Sequence, residues 1–160
     1  MGTSQKTELE ALLKKLKEEG FDEFHHGLCI GADEQAAMLA KELGYRVIAH
    51  PGLAHDPTNL QYRSQWTGSD ETTEAKPFIE RDREMVDITE RLIATPLTRA
   101  EVIRSGTWTT VRYARTVSRI IDLILPPFIP PKWAPVPPPR TNAIAGEDPM
   151  TPPHMKRGVR

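Results

Sequence analysis

The sequence predicts an α/β fold: a doubly wound parallel sheet of about four strands flanked by helices. Three observations predict it. Short apolar runs alternate with amphipathic helical stretches all the way to Leu125. A single helical stretch separates each run from the next, which is the connection parallel strands need. Glycines close the first two helical stretches at Gly20 and Gly44.

Residues 5–19 form the first helix, with Leu9, Leu12, Leu13 and Leu16 on one face and lysines and glutamates opposite. Ser4 caps its start. "EFHHGLCI", 23–30, reads as a short strand that Gly27 weakens. Asp33 begins a helix whose inner face is Ala36, Ala37, Leu39, Ala40 and Leu43. "RVIAH", 46–50, is a strand with Val47 and Ile48 inside. Residues 51–76 form a polar loop whose length marks it as functional or disordered. Pro77 suits the first turn of a helix that runs to about Thr89 and buries Phe78, Met85 and Val86. "RLIATP", 91–96, is a strand ended by Pro96, and 97–106 is a loop with some helical character. A helix from Thr107 to about Ser118 buries Trp108, Val111, Ala114 and Val117, and "IIDLIL", 120–125, is the last strand.

Right-handed crossovers make such an order Rossmann-like. Ligands of these sheets bind outside the carboxyl ends of the strands, which places function at 31–34, 49–56, 95–107 and the start of the tail. A doubly wound sheet places its first strand in the middle, whereas this sequence opens with a helix. The reading is therefore a folded part, 1–125, that lacks an N-terminal strand. An uncovered sheet edge of that kind favours homo-oligomers.

Eleven of the 15 prolines lie at or beyond Pro126, so 126–160 reads as a proline-rich disordered tail. "PPFIPPKWAPVPPPR", 126–140, favours polyproline II and serves as a linker or as a ligand of the SH3 type. The tail carries five basic and two acidic residues, +3; the chain is −1, which leaves −4 on the folded part. That balance disfavours nucleic acid as a partner. Cys29 is the one cysteine, which fits a reducing, cytoplasmic setting, and no apolar run suits a membrane.

The turn "RSGT", 104–107, opens a helix. Free N–H groups there attract anions, Gly106 allows close approach, Thr107 adds a hydroxyl and Arg104 a countercharge. The same residues also suit a plain helix start capped by Ser105 or Thr107. "GAD", 31–33, is a second turn at the same sheet edge, where Asp33 accepts from a ribose or caps the helix. In "ERDREM", 80–85, Arg81 aims at a phosphate or pairs with Glu84 at the surface. Arg112 and Arg115 read as a solvated face. His25 and His26 point to opposite strand faces, and His50, His55 and Asp56 lack compact zinc spacing, so no metal and no cofactor is expected.

Five pieces together resemble the SLOG superfamily, the Rossmann-like group of the Smf/DprA and Lonely-guy proteins, and its small stand-alone members in bacteria and their viruses above all. They are "HHGLCIGAD" (25–33), "RVIAHPG" (46–52), "KPFIERDREMVD" (76–87), "LIATP" (92–96) and "RSGTWTTVRYAR" (104–115). The resemblance implies a nucleotide or nucleotide-derived ligand at the strand ends. It implies that Gly31, Ala32, Asp33 and Pro51 line the site, that Gly106 and Thr107, with Ser105, cradle a phosphate, and that Arg81 and Arg104 supply charge. Lonely-guy enzymes cut the N-glycosidic bond of nucleoside monophosphates. Glu80-Arg81 matches their Glu-Arg pair, but Thr110 stands where they carry a glutamate, and Asp82 where close relatives carry asparagine. The reading is thus a nucleotide-binding sensor or accessory domain, with Tyr62 or Trp66 stacking on the base. The alternatives are an N-glycosidic hydrolase using Arg81 with Asp33 or Glu84 as carboxylate, and a single-stranded DNA binder.

Overall fold

Helix α1 (Thr3–Glu18) starts two residues earlier than its apolar spacing suggests. In the computed structural model, which describes residues 1–53 and 63–130, Gly2 and not Ser4 takes the cap position. Its N–H donates to Gln5 Oε1 at 3.1 Å. The other end of the Gln5 amide turns inward and donates to the carbonyls of Pro96 (3.0 Å) and Ile124 (2.9 Å). Leu9, Leu13 and Leu16 form the buried face. Gly20, at φ 94°, closes the helix in a conformation that side chains rarely adopt.

Four strands follow at the expected places. β1 (Glu23–His26) pairs in parallel with β2 (Arg46–Ala49), Glu23 opposite Arg46 and His26 opposite Ala49. Helix α2 (Ala32–Glu42) connects them. The described parts of the 51–76 stretch pair with other strands instead of running free. The stretch contributes β3 (Gly52–Leu53), β4 (Glu71–Thr72) and β5 (Lys76–Pro77). β4 pairs with β2 and β5 with β3, both in parallel. Tyr62, His55 and Asp56 lie outside the described residues. Helix α3 (Phe78–Ile88) follows Pro77, then β6 (Arg91–Ala94), helix α4 (Gly106–Thr116) and β7 (Ile120–Leu123), which pairs in parallel with β6.

The architecture is α/β with parallel strands, but the strands do not share one hydrogen-bonded sheet. They form β1-β2-β4, β3-β5 and β6-β7. There are two apolar clusters. The larger contains Leu9, Leu13, Ala37, Leu39, Ala40, Tyr45, Val47 and Ile124, with Ile93 of β6 packed against it, and so reaches both larger strand groups; the other contains Ala94, Trp108 and Val111. Residues Met1–Phe128 make one compact unit, and the tail beyond Pro130 lies outside the described residues.

Three expectations need correction. The 97–105 segment contains no helix; it is tied to α4 through Glu101, which receives Arg112 Nη1 (3.1 Å) and Arg115 Nη1 (2.8 Å). These arginines hold the loop rather than forming a free solvated face. Val117 lies beyond the end of α4 and is 39% exposed, so the buried stripe stops at Ala114. Among the described residues, no helix is long and apolar enough to cross a membrane.

Candidate functional site

The turn after β1 builds the first wall. It holds two residues at positive φ, Leu28 (54°) and Gly31 (99°). Gly31, not Asp33, is the cap residue of α2. Asp33 instead folds back and its Oδ2 accepts the Cys29 N–H at 2.9 Å. Enclosure raises the Asp33 carboxyl above its ordinary range, against the lowering pull of the Cys29 amide and the Arg81 charge. Burial also raises the Cys29 thiol, which is half-buried.

Arg81 of α3 forms the centre. It is 5% exposed. Its Nη1 donates to the carbonyls of Gly27 and His50, the latter at 2.8 Å. These two carbonyls lie just past β1 and β2, so the guanidinium ties the carboxyl ends of both strands together. A Cβ on Gly27 would collide with the guanidinium, which explains a glycine at the end of β1. Nε lies 2.8 Å from Asp82 Oδ1 in a buried ion pair, without the geometry of a hydrogen bond.

Helix α4 supplies the third wall. Ser105 is its cap, and Ser105 Oγ accepts the Trp108 N–H at 3.4 Å. The N–H groups of Gly106 and Thr107 have no protein acceptor among the described residues. Ser105 therefore satisfies one amide of this turn and leaves the two before it open.

A cavity of about 780 Å³ brings these walls together, with Ala32, Asp33, Arg81, Gly106, Thr107 and Thr110 on its lining. Cys29, His25, His26 and Asp82 also lie on that lining, whereas Gly31, Pro51, Glu84 and Arg104 lie off it. Gly31 sits behind it as the helix cap. Pro51 is buried, its carbonyl accepting the Lys76 N–H at 3.1 Å. Glu84 pairs with Lys76 Nζ at 2.7 Å. Arg104 is exposed. Trp66 packs edge-on against His26, ring centroids 5.8 Å apart, within the first apolar cluster.

Asp82 is a neighbour of the site that the sequence suggested only as a departure from relatives. Thr110 Oγ1 donates to its Oδ2 at 3.3 Å, and burial raises its carboxyl above the ordinary range while Arg81 opposes the rise. A helical spacing of α3 against α4 is needed to bring them together, which no local pattern contains. A second such arrangement joins β1 to the end of β2: His25 Nδ1 and His50 Nε2 meet at 2.9 Å, and His25 and His26 are on the cavity lining. His26 Nδ1 accepts from the Leu28 N–H at 3.4 Å, so its Nε2 carries the proton and donates to Ser69 Oγ at 3.0 Å. Burial pushes both His26 and His50 down to about 4. No group of three or more His, Cys, Asp or Glu suited to a metal is present among the described residues.

No protein-family model, no curated protein and no solved structure matches this chain.

Proposed function

We propose that the protein binds a nucleotide or nucleotide-derived small molecule at the carboxyl ends of β1 and β6, as a cytoplasmic sensor or accessory domain. The observation that carries this reading is the cavity that holds the buried Arg81, ion-paired with Asp82, together with the open amides of Gly106 and Thr107. A helix N-terminus beside a buried guanidinium favours an anion with several oxygens, such as a phosphate. Asp33 accepts the sugar hydroxyls from the opposite wall. The strand order and these turns also support a Rossmann-like domain of the SLOG type, with the two strand groups as parts of one doubly wound arrangement. The test is calorimetric titration with nucleoside monophosphates and the matching nucleosides. The reading requires binding that depends on the phosphate and falls at least about tenfold in Arg81→Lys. Equal affinity for the nucleosides would overturn it.

One observation favours a second reading, an N-glycosidic hydrolase. Asp82 reaches Thr110, so a carboxylate occupies the space where Thr110 replaces the glutamate of the enzymes it resembles. With Asp33 across the cavity, two carboxyls of raised pKa flank the ligand, as acid–base chemistry at a glycosidic bond requires. Release of free base that Asp82→Asn abolishes would establish it in place of the sensor reading.

A further inference from the structure

The lower part of the same cavity carries an inference that does not rest on the nucleotide reading. It runs between β1 and β6, the inner edges of two parallel strand groups. In the β1–β2 pair, the carbonyls of Asp22 and His26 accept from Arg46 N–H and His50 N–H, both at 2.8 Å. Backbone groups alternate sides along a strand, so Glu23 and His25 turn theirs away from β2, toward the gap. In the β6–β7 pair, the Ala94 carbonyl accepts the Ile124 N–H at 2.9 Å, so Arg91 and Ile93 turn theirs toward the gap from the other side. The two edges point the same way: the Arg91 guanidinium, at the start of β6, lies over the ring of Phe21, just before β1, at 5.8 Å.

Side chains define the rest of the slot. Leu9 and Leu13 of α1 and Phe78 and Val86 of α3 close its two sides; Leu9, Leu13 and Val86 are already almost fully buried, so an occupant gains contact mainly at the half-buried Phe24, Phe78 and Ile93. An occupant would meet apolar groups from two separate helices and backbone partners on two edges. Only an extended polypeptide satisfies both edges at once, and one between two helices is apolar along its whole length rather than on alternate residues. The edges are four residues long each, which sets the length at about five residues.

We propose that this slot takes an apolar, proline-free peptide strand from a partner polypeptide, running parallel to β1 and β6 and joining the two groups into one sheet. Its carboxyl end would finish beside Arg81, so the strand would complete the floor of the cavity above it. A small molecule, the chain itself and a second copy are the competing occupants.

The test uses the full chain and an amidated synthetic peptide of alternating valine and isoleucine, about five residues long, between lysine pairs. Amide hydrogen exchange is followed at His25 and Ile93. The proposal expects exchange at both to slow at least about tenfold with peptide, and the same peptide with a central proline to have no effect. No slowing at either strand, or equal slowing by the proline peptide, would overturn it. So would strong protection at both positions without peptide, independent of protein concentration, which would mean that the chain fills its own slot. Protection that grows with protein concentration alone would assign the slot to a second copy and overturn it likewise. Nucleoside monophosphate affinity, measured on the same samples without peptide, reports on the site above independently.

Discussion

Arg81 performs two tasks with different donors. Nη1 serves the carbonyls of Gly27 and His50, and Nε faces the Asp82 carboxylate, the contact an anion would contest. Replacing it should therefore affect both stability and binding. Arg81→Met strands two buried carbonyls, so unfolding free energy should fall by about 1–3 kcal/mol in denaturant titration, together with loss of nucleotide binding. Gly27→Ala tests the same contact from the other side: the new methyl group displaces the guanidinium from both carbonyls, so affinity should drop more than tenfold and stability should fall as well. Wild-type affinity in Gly27→Ala would show that the guanidinium position is irrelevant to the ligand. Asp82 lies against the same guanidinium and competes with an anion for it. Removing that charge in Asp82→Asn should tighten phosphate binding about fivefold, since one charge at contact distance in water is worth about 1 kcal/mol. Unchanged or weaker binding in calorimetry would contradict this placement.

At the scale of elements, α4 and α1 make opposite demands on their first turns. The start of α4 is open: a Cβ on Gly106 meets nothing within 4 Å. Gly106→Ala should leave the thermal midpoint nearly unchanged and weaken phosphate binding, because only the ligand approaches there. Ser105→Ala should do the reverse, losing the cap for about 1 kcal/mol with the ligand amides intact. The start of α1 is closed by Gln5, whose amide holds the carbonyls after β6 and β7. How much of this was legible in the sequence follows from range. Apolar spacing and closing glycines located α1, α2, α3 and α4 within a few residues, because those signals are local. The turn at 104–107 was legible for the same reason. Gln5 was not, since its partners are about ninety residues or more away and a polar residue near a helix start reads as surface. Gly27 looked like a flaw in a strand until Arg81 was seen to fill the space its side chain would need.

At the scale of the whole molecule, two buried neutral histidines make the fold sensitive to acid. His26 and His50 sit at about 4 in the fold against about 6.5 in an unfolded chain. Between those values the unfolded chain takes up protons that the fold excludes, so stability falls as pH drops from 6.5 toward 4 and then levels. Asp33 and Asp82, raised in the fold, act in the opposite sense. The thermal midpoint should nevertheless drop from pH 7 to pH 5, and His26→Gln should flatten that slope; a flat wild-type profile would contradict the buried neutral state. The sheet itself is where sequence and structure part. Alternating strands and helices predicted the parallel pairs, but which strands bond to one another depends on edges that no local pattern reports, and the structure leaves a gap between β1 and β6.

The central claim is that Arg81 and the amides opening α4 form one anion site. Backbone amide shifts of Gly106 and Thr107 during titration with adenosine monophosphate test it most directly. The account predicts saturable shifts of both amides, absent with adenosine and lost in Arg81→Lys. Binding of the nucleotide with both amides unmoved would contradict it.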